Sequence, residues 1–203
     1  MAAPNNPLRI LCFGDSLTSG YHSWGSDYHP YATRLKERLE QRFPARDIDI
    51  STDGLPGDTV IDGSFMSRLD SCLGQVNRYD WIIILGGTND LGWGRKADDI
   101  VKALELVWSK ALNSGANVLA LNVAASRVCS SVGGFRRMRD INEKISAHRE
   151  DRFFTLDLCS SIPWPEDDSA EQDRLWDDGL HFTPAGYDLI GDVVAERLIA
   201  LLE

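Results

Sequence analysis

Residues 8–18 read LRILCFGDSLT. Leu8, Ile10, Leu11, Cys12 and Phe13 put apolar side chains at both odd and even positions, so both faces of this strand are expected to be covered. That is the pattern of a parallel strand inside an α/β layer, not of a surface strand that alternates apolar and polar. Gly14 lets the chain turn sharply at the end of the run. Ser16 then falls just past the C-terminal end of the strand, where open α/β sheets place their ligand sites. A serine in this position is a candidate nucleophile. It is equally a candidate cap for a following helix, and the stretch alone does not separate the two.

The chain on either side of the next strands supplies the layers. Tyr21 to Tyr31, YHSWGSDYHPY, reads as an aromatic loop leading into a helix that starts near Pro30. Ala32, Leu35, Leu39 and Phe43 form its buried stripe, and Pro44 ends it. Ile48 and Ile50 alternate with Asp47, Asp49 and Ser51, which predicts an exposed edge strand. Thr52 to Thr59, TDGLPGDT, reads as a turn-rich loop. A helix follows with Met66, Leu69, Leu73 and Val76 inward. Trp81 to Leu85, WIIIL, is the most apolar strand candidate and is placed at the centre of the sheet. It runs straight into GGTNDLGWG, Gly86 to Gly94. The helix from Ala97 to Ser114 buries Ile100, Leu104, Val107, Ala111 and Leu112, with Gly115 as its stop. A strand at Val118 to Val123, a loop from Ala124 to Gly134 and a helix marked by Met138, Ile141 and Ile145 come next. Phe153 to Leu158 is the last strand. Ser160 to Gly179 has no periodicity and reads as an excursion across the top of the sheet. Thr183 and Pro184 open a terminal helix that carries Tyr187, Ile190, Val194 and Leu198 inward.

Five strands alternate with helices, without repeats or a linker. The expected architecture is α/β, a three-layer α/β/α sandwich on a mostly parallel sheet, with residues 1–203 as one domain. Parallel strands all end on the same edge. Ser16, the Gly54 to Thr59 loop, Gly86 to Asp90 and the Asp177 to His181 loop are therefore expected to gather there.

Composition narrows the partners. The 203 residues are 43% hydrophobic and carry 31 acidic against 21 basic side chains, a formal charge of -10. There is no cationic surplus to displace counterions, which argues against nucleic acid and against an anionic membrane surface. No apolar run reaches a transmembrane span, and MAAPNNP has no basic segment followed by an apolar one. A cytoplasmic location is the expectation. Cys12, Cys72, Cys129 and Cys159 form no C-x-x-C pair and read as buried thiols. Neither H-x-x-x-H nor another ligand cluster is visible, so no metal is expected. G-x-G-x-x-G after the first strand and G-x-x-x-x-G-K-S/T are both absent, so no nucleotide or flavin cofactor is expected either.

Of the four histidines, His181 stands in DDGLHFTP, directly before the last helix. Asp178 lies three residues earlier. A D-x-x-H turn can bring the carboxylate to one ring nitrogen while the other faces away, as the base and its orienter do in a serine triad. The plain alternative is a capping Asp beside an incidental surface His.

Gly14-Asp15-Ser16-Leu17, Gly57 in LPGDT, Gly86-Gly87-Thr88-Asn89-Asp90 and Asp178-Gly179-Leu180-His181 occur in this order over residues 14 to 181. In these blocks the chain resembles the SGNH hydrolase superfamily, the GDSL-type esterases and lipases. The resemblance implies a flavodoxin-like sandwich with about five parallel strands. It implies Ser16 as nucleophile, His181 as general base and Asp178 as its orienter. The oxyanion hole is implied to be the backbone N–H groups of Ser16 and Gly57 and the side-chain amide of Asn89. Gly57 is chosen over Gly54 because Asp-Thr follows it. Asp15 and Asp90, each beside an implied catalytic residue, are read as scaffolding whose carboxylates accept backbone N–H bonds in tight turns.

The implied function is serine carboxylester hydrolysis of a small-molecule ester. Trp24, Tyr28 and Trp93 either line the substrate pocket or pack beneath their loops. No long apolar loop suggests a lid, which leans the reading towards short acyl groups, including acetyl on a sugar or small metabolite. A thioesterase or acyltransferase shares the same Ser-Asp-His chemistry. A catalytically silent flavodoxin-like binding module is the rival of another class. No heptad run is present, and a monomer is expected.

Overall fold

The computed structural model describes residues 7–75, 78–127, 132–166 and 168–203. Val76 of the third-helix stripe and Cys129 lie outside these residues. The apolar run that opens the chain forms β1 (Leu8–Asp15), and its neighbours in the sheet are β4 (Ile48–Leu55) and β5 (Trp81–Leu85). With β6 (Asn117–Leu121) and β7 (Phe153–Leu156) they make a five-stranded parallel sheet in the order β4-β1-β5-β6-β7. WIIIL is central, and the half-polar strand is at the edge.

Alternation along the strands feeds two cores. Leu11, Phe13, Ile82, Ile84, Val118 and Ala120 face one side, where α3 (Phe65–Gln75), α5 (Ala97–Asn113) and α6 (Val132–Ala147) pack. Leu8, Ile10, Cys12, Ile83, Leu85, Leu119 and Leu121 face the other, against α2 (Tyr31–Arg42) and α9 (Pro184–Leu202). Full burial of one such aliphatic side chain is worth about 1.5–3 kcal/mol. Both faces of the sheet are dry, which is why β1 and β5 have no polar side. The terminal helix starts as its sequence indicates: Thr183 Oγ1 accepts the Gly186 N–H at 3.2 Å and Pro184 occupies the first turn.

Several local expectations are corrected. Thr52 to Leu55 belong to β4 rather than to a loop. β1 runs on through Asp15, and its backbone groups need partners up to the register pair Asp15 and Leu55. The buried stripe of α3 is Phe65, Leu69 and Cys72, with Met66 and Leu73 only flanking it. The final strand stops at Leu156 because Asp157 caps a short α7 (Leu158–Ser161), accepting the Ser160 N–H at 3.0 Å. The acidic excursion contains α8 (Ser169–Leu175), with the Asp168 carboxylate accepting from the Ala170 and Glu171 N–H groups. Only Leu175 of that helix is buried, too little for periodicity to register. Pro30 is the N-cap of α2 and lies just outside it. The aromatic loop is a small hairpin of β2 (Tyr21–His22) and β3 (Asp27–Tyr28) around a single 3₁₀ turn. Among the described residues no helix is long and apolar enough to cross a membrane.

Candidate active site

At the end of β1 the chain turns into α1 (Ser16–Ser19). Asp15 caps this turn, its Oδ1 accepting the Leu17 N–H at 3.0 Å. Gly14 has no room for a side chain: an added Cβ would stand 2.3 Å from the Leu85 carbonyl and from Thr18 Oγ1. Gly54 is equally confined, against the Ser19 N–H at 2.3 Å. The Ser16 turn is thus wedged between the ends of β4 and β5, and Ser16 is only 4% exposed.

The loop that carries Asp178 and His181 is closed like a hairpin. Trp176 and Phe182 form an antiparallel bridge, and the Asp177 N–H donates to the His181 carbonyl at 2.8 Å. Gly179 turns the corner at φ 86°, a left-handed conformation that favours glycine. Asp178 Oδ1 accepts the N–H groups of Leu180 (2.9 Å) and His181 (2.8 Å), and Oδ2 lies 2.8 Å from His181 Nδ1. His181 Nε2 lies 3.0 Å from Ser16 Oγ. Burial alone would raise the Asp178 carboxyl, but the His181 ring and the two backbone donors outweigh it and hold it below its ordinary value. Beneath the loop Trp164, Trp176, Phe182 and Tyr187 stack in sequence, and Trp176 Nε1 donates to the Ala125 carbonyl.

Gly57 and Asn89 lie at the same edge of the sheet. Gly57 occupies the turn after β4, at φ 79° with open space where a side chain would stand. Gly54, by contrast, is a strand residue paired with Gly14. Asn89 is in α4 (Thr88–Gly92), directly after β5. One amide hydrogen on Asn89 Nδ2 goes to the Asp58 carbonyl at 2.8 Å, which ties this helix to the Gly57 turn. Asp90 is fully buried and accepts the Val60 (2.9 Å) and Ile61 (3.2 Å) N–H groups.

Two residues of this neighbourhood escaped the sequence reading. Arg68, on α3, donates to Asp58 Oδ2 at 3.1 Å, to the Gly14 carbonyl at 2.6 Å and to Asp53, with its guanidinium 4.8 Å from the Phe13 ring. It therefore joins the Ser16 turn to the Gly57–Asp58 turn. Its neighbours Phe65 and Leu69 on the buried face of α3 were the available signal. Tyr21 packs its ring 4.5 Å from that of His181, and the Tyr187 hydroxyl donates to the Tyr21 carbonyl at 2.8 Å.

The candidate pocket aromatics divide. Trp93 lines a cleft of about 320 Å³ together with Thr88, Asn89, Leu91, Gly92, Val123, Ser126 and Leu180. Trp24 and Tyr28 stand apart from that lining, on the β2–β3 hairpin. They are 84% and 50% exposed, so neither is packed beneath its loop. Ser23 (φ 51°) and Trp24 (φ 57°) are both left-handed without being glycine, which costs about 1–2 kcal/mol each.

Asp15 gives the site a pH dependence of its own. It is fully buried, and Oδ2 has no partner among the described residues. Burial pushes its carboxyl from 3.8 up to about 7; the Leu17 N–H and Arg68 oppose this, while Asp58 and Asp90 add to it. The folded protein thus keeps a proton that the unfolded chain releases near its ordinary value. Stability from this group is full at acid pH, falls by up to about 4 kcal/mol as pH rises from about 4 to 7, and is flat above. In urea titrations Asp15→Asn is expected to gain stability relative to the unmodified protein across that window. Parallel pH dependence of the two proteins would refute the assignment.

The sequence matches the GDSL-like lipase/acylhydrolase family over residues 12–189. No curated protein sequence matches significantly. Among solved structures, the lipase/acylhydrolase from Enterococcus faecalis is 21% identical with a TM-score of 0.68, covering 94% of each chain. The psychrotrophic esterase EstA from Pseudoalteromonas is 17% identical at a TM-score of 0.72, over 96% of this chain and 98% of that one. A member of the lipolytic protein G-D-S-L family from Veillonella parvula is 20% identical at 0.72, over 94% and 98%. These structures share the sheet and its flanking helices, and the family match spans every block from the Ser16 turn to the start of the last helix. The chain belongs to the GDSL-like lipase/acylhydrolase family and is an ester-hydrolysing enzyme.

Proposed function

We propose that the protein is a serine carboxylester hydrolase that cleaves short-acyl esters, acetates among them, through an acyl-enzyme on Ser16. The observation that carries this reading is the unbroken hydrogen-bonded chain from Ser16 Oγ through His181 to Asp178. Ser16 Oγ attacks the ester carbonyl and passes its proton to His181 Nε2. Asp178 holds the proton on Nδ1, so that Nε2 begins as the acceptor. The tetrahedral oxyanion is met by the backbone N–H groups of Ser16 and Gly57 and by the second amide hydrogen of Asn89. His181 then returns the proton to the leaving alcohol. Water, deprotonated by the same nitrogen, releases the acid and restores Ser16.

The size of the cleft supports a small acyl group: at about 320 Å³ it lies at the small end of ligand pockets. Leu91, Trp93, Val123 and Leu180 supply its apolar wall, and Thr88, Asn89 and Ser126 its polar side.

The test is hydrolysis of p-nitrophenyl esters from acetate to decanoate, with labelling by an alkyl phosphonate followed by peptide mass analysis. The expected result is a maximum at acetate to butyrate and a phosphonylated Ser16. A maximum at decanoate would overturn the acyl preference alone, and a folded protein inert to both reagents would overturn the mechanism. Asn89→Ala is expected to lower kcat about 10²- to 10³-fold, as loss of one oxyanion donor does, with KM changed far less. Near-normal kcat would remove Asn89 from that role.

A further inference from the structure

The β2–β3 hairpin is held firmly beside the proposed catalytic residues, yet its tip is bare. The Ser23 N–H donates to Asp177 Oδ2 at 2.7 Å, immediately before Asp178. The Tyr21 ring is held between His181 and the Gly25 backbone, where an added Cβ would stand 2.6 Å from Tyr21 Cε2. The His29 N–H closes the hairpin base onto the Gly20 carbonyl at 2.8 Å. On this anchored frame two successive left-handed residues present Trp24 outward, with most of its surface in water. Strain and an exposed indole are both unfavourable in the free protein, and strain of this kind is concentrated at ligand sites. Asp177, also exposed, offers Oδ1 beside it as a hydrogen-bond acceptor.

We propose that Trp24 and Asp177 form the subsite for the alcohol half of the ester, and that this alcohol is a hydroxylated ring of the sugar type. The inference rests on the serine-hydrolase reading above. The acyl group occupies the cleft beside Trp93 and Asn89, and the alcohol leaves towards the hairpin on the other side of His181. The apolar face of a pyranose ring stacks on the indole, and a ring hydroxyl donates to Asp177 Oδ1. A plain alkyl alcohol has no flat face to offer. An aryl alcohol would stack but leave the carboxylate unused, and an anionic alcohol would be repelled by it.

The test compares acetate release from three esters with the same acyl group: a mono-acetylated methyl xylopyranoside, phenyl acetate and ethyl acetate. The readout is kcat/KM for each ring ester divided by that for ethyl acetate. Trp24→Ala is expected to lower the sugar-ester ratio about tenfold or more, mainly through KM, with Trp24→Phe in between. Asp177→Asn keeps an oxygen for the Ser23 N–H and is expected to lower the sugar ratio severalfold while leaving the phenyl ratio in place. Leu106→Ala, an exposed apolar change on α5, serves as the control and is expected to keep both ratios. A Trp24→Ala sugar ratio within twofold of the unmodified protein would overturn the subsite. Equal losses on sugar and phenyl esters, with no effect of Asp177→Asn, would overturn the sugar-type alcohol. Ser16→Ala separates this inference from the one beneath it. Acetate release that survives in that variant sinks the serine mechanism, whereas release lost there but indifferent to Trp24 sinks only the subsite.

Discussion

Ser16→Ala is expected to lower kcat/KM for p-nitrophenyl acetate by about 10⁵-fold, within the range seen when a triad nucleophile is removed. The size of the effect follows from what the substitution leaves untouched. Ser16 Oγ bonds to His181, so removing it breaks no strand, cap or turn. Asp15 still accepts the Leu17 N–H, Gly14 still fits beneath Thr18, and the backbone N–H of residue 16 is retained. The variant should therefore melt within a few degrees of the unmodified protein and still bind ester. Activity reduced by less than tenfold in such a folded variant would mean that another group attacks the substrate.

Asp178→Asn is expected to be nearly as damaging, about 10⁴-fold in kcat, although it changes a single atom. The surrounding donors dictate the result. Oδ1 faces two backbone N–H groups, so the amide oxygen of an asparagine must point towards them. Its NH₂ is then forced towards His181 Nδ1. That nitrogen becomes an acceptor, the ring proton moves to Nε2, and the nitrogen facing Ser16 can no longer take a proton. Loss of rate with retained stability is the expected signature. A variant with full activity would show that His181 does not depend on Asp178 for its tautomer.

The parts of the molecule that were legible in the sequence are those whose causes are local. β1 and β5 could be read because burial on both faces leaves no polar position, and each carries that rule within a few residues. The Asp178–His181 turn could be read because the bonds of the Asp178 carboxylate lie within three residues. Thr183 and Pro184 announced α9 in the same way. The end of β4 was missed because Gly54 is a strand residue only by virtue of Gly14, forty positions earlier in the register. Arg68 was missed for the same reason: its partners Asp53, Asp58 and Gly14 converge only once α3 lies across the sheet. Tyr21 was passed over for Trp24 and Tyr28 because nothing in an aromatic-rich loop says which ring turns inward. α8 offers a single buried side chain and depends on its Asp168 cap, a signal too small for periodicity.

The 165 positions from Ser16 to His181 have a consequence for the life of the chain. The strand bearing the serine is made first, whereas the histidine arrives only with the segment leading into α9. That helix is clasped onto α2 through Arg34 with Asp192 and His29 with Asp188. A chain emerging from the ribosome therefore holds the proposed nucleophile, its glycine turn and its asparagine long before it holds the proposed base. On the proposed mechanism it cannot hydrolyse an ester until the last helix has docked. The same dependence acts in reverse in the finished protein: peeling α9 away would pull Tyr187, Ile190, Val194 and Leu198 out of the core that covers one face of the sheet. On that mechanism turnover is a report on the docking of α9.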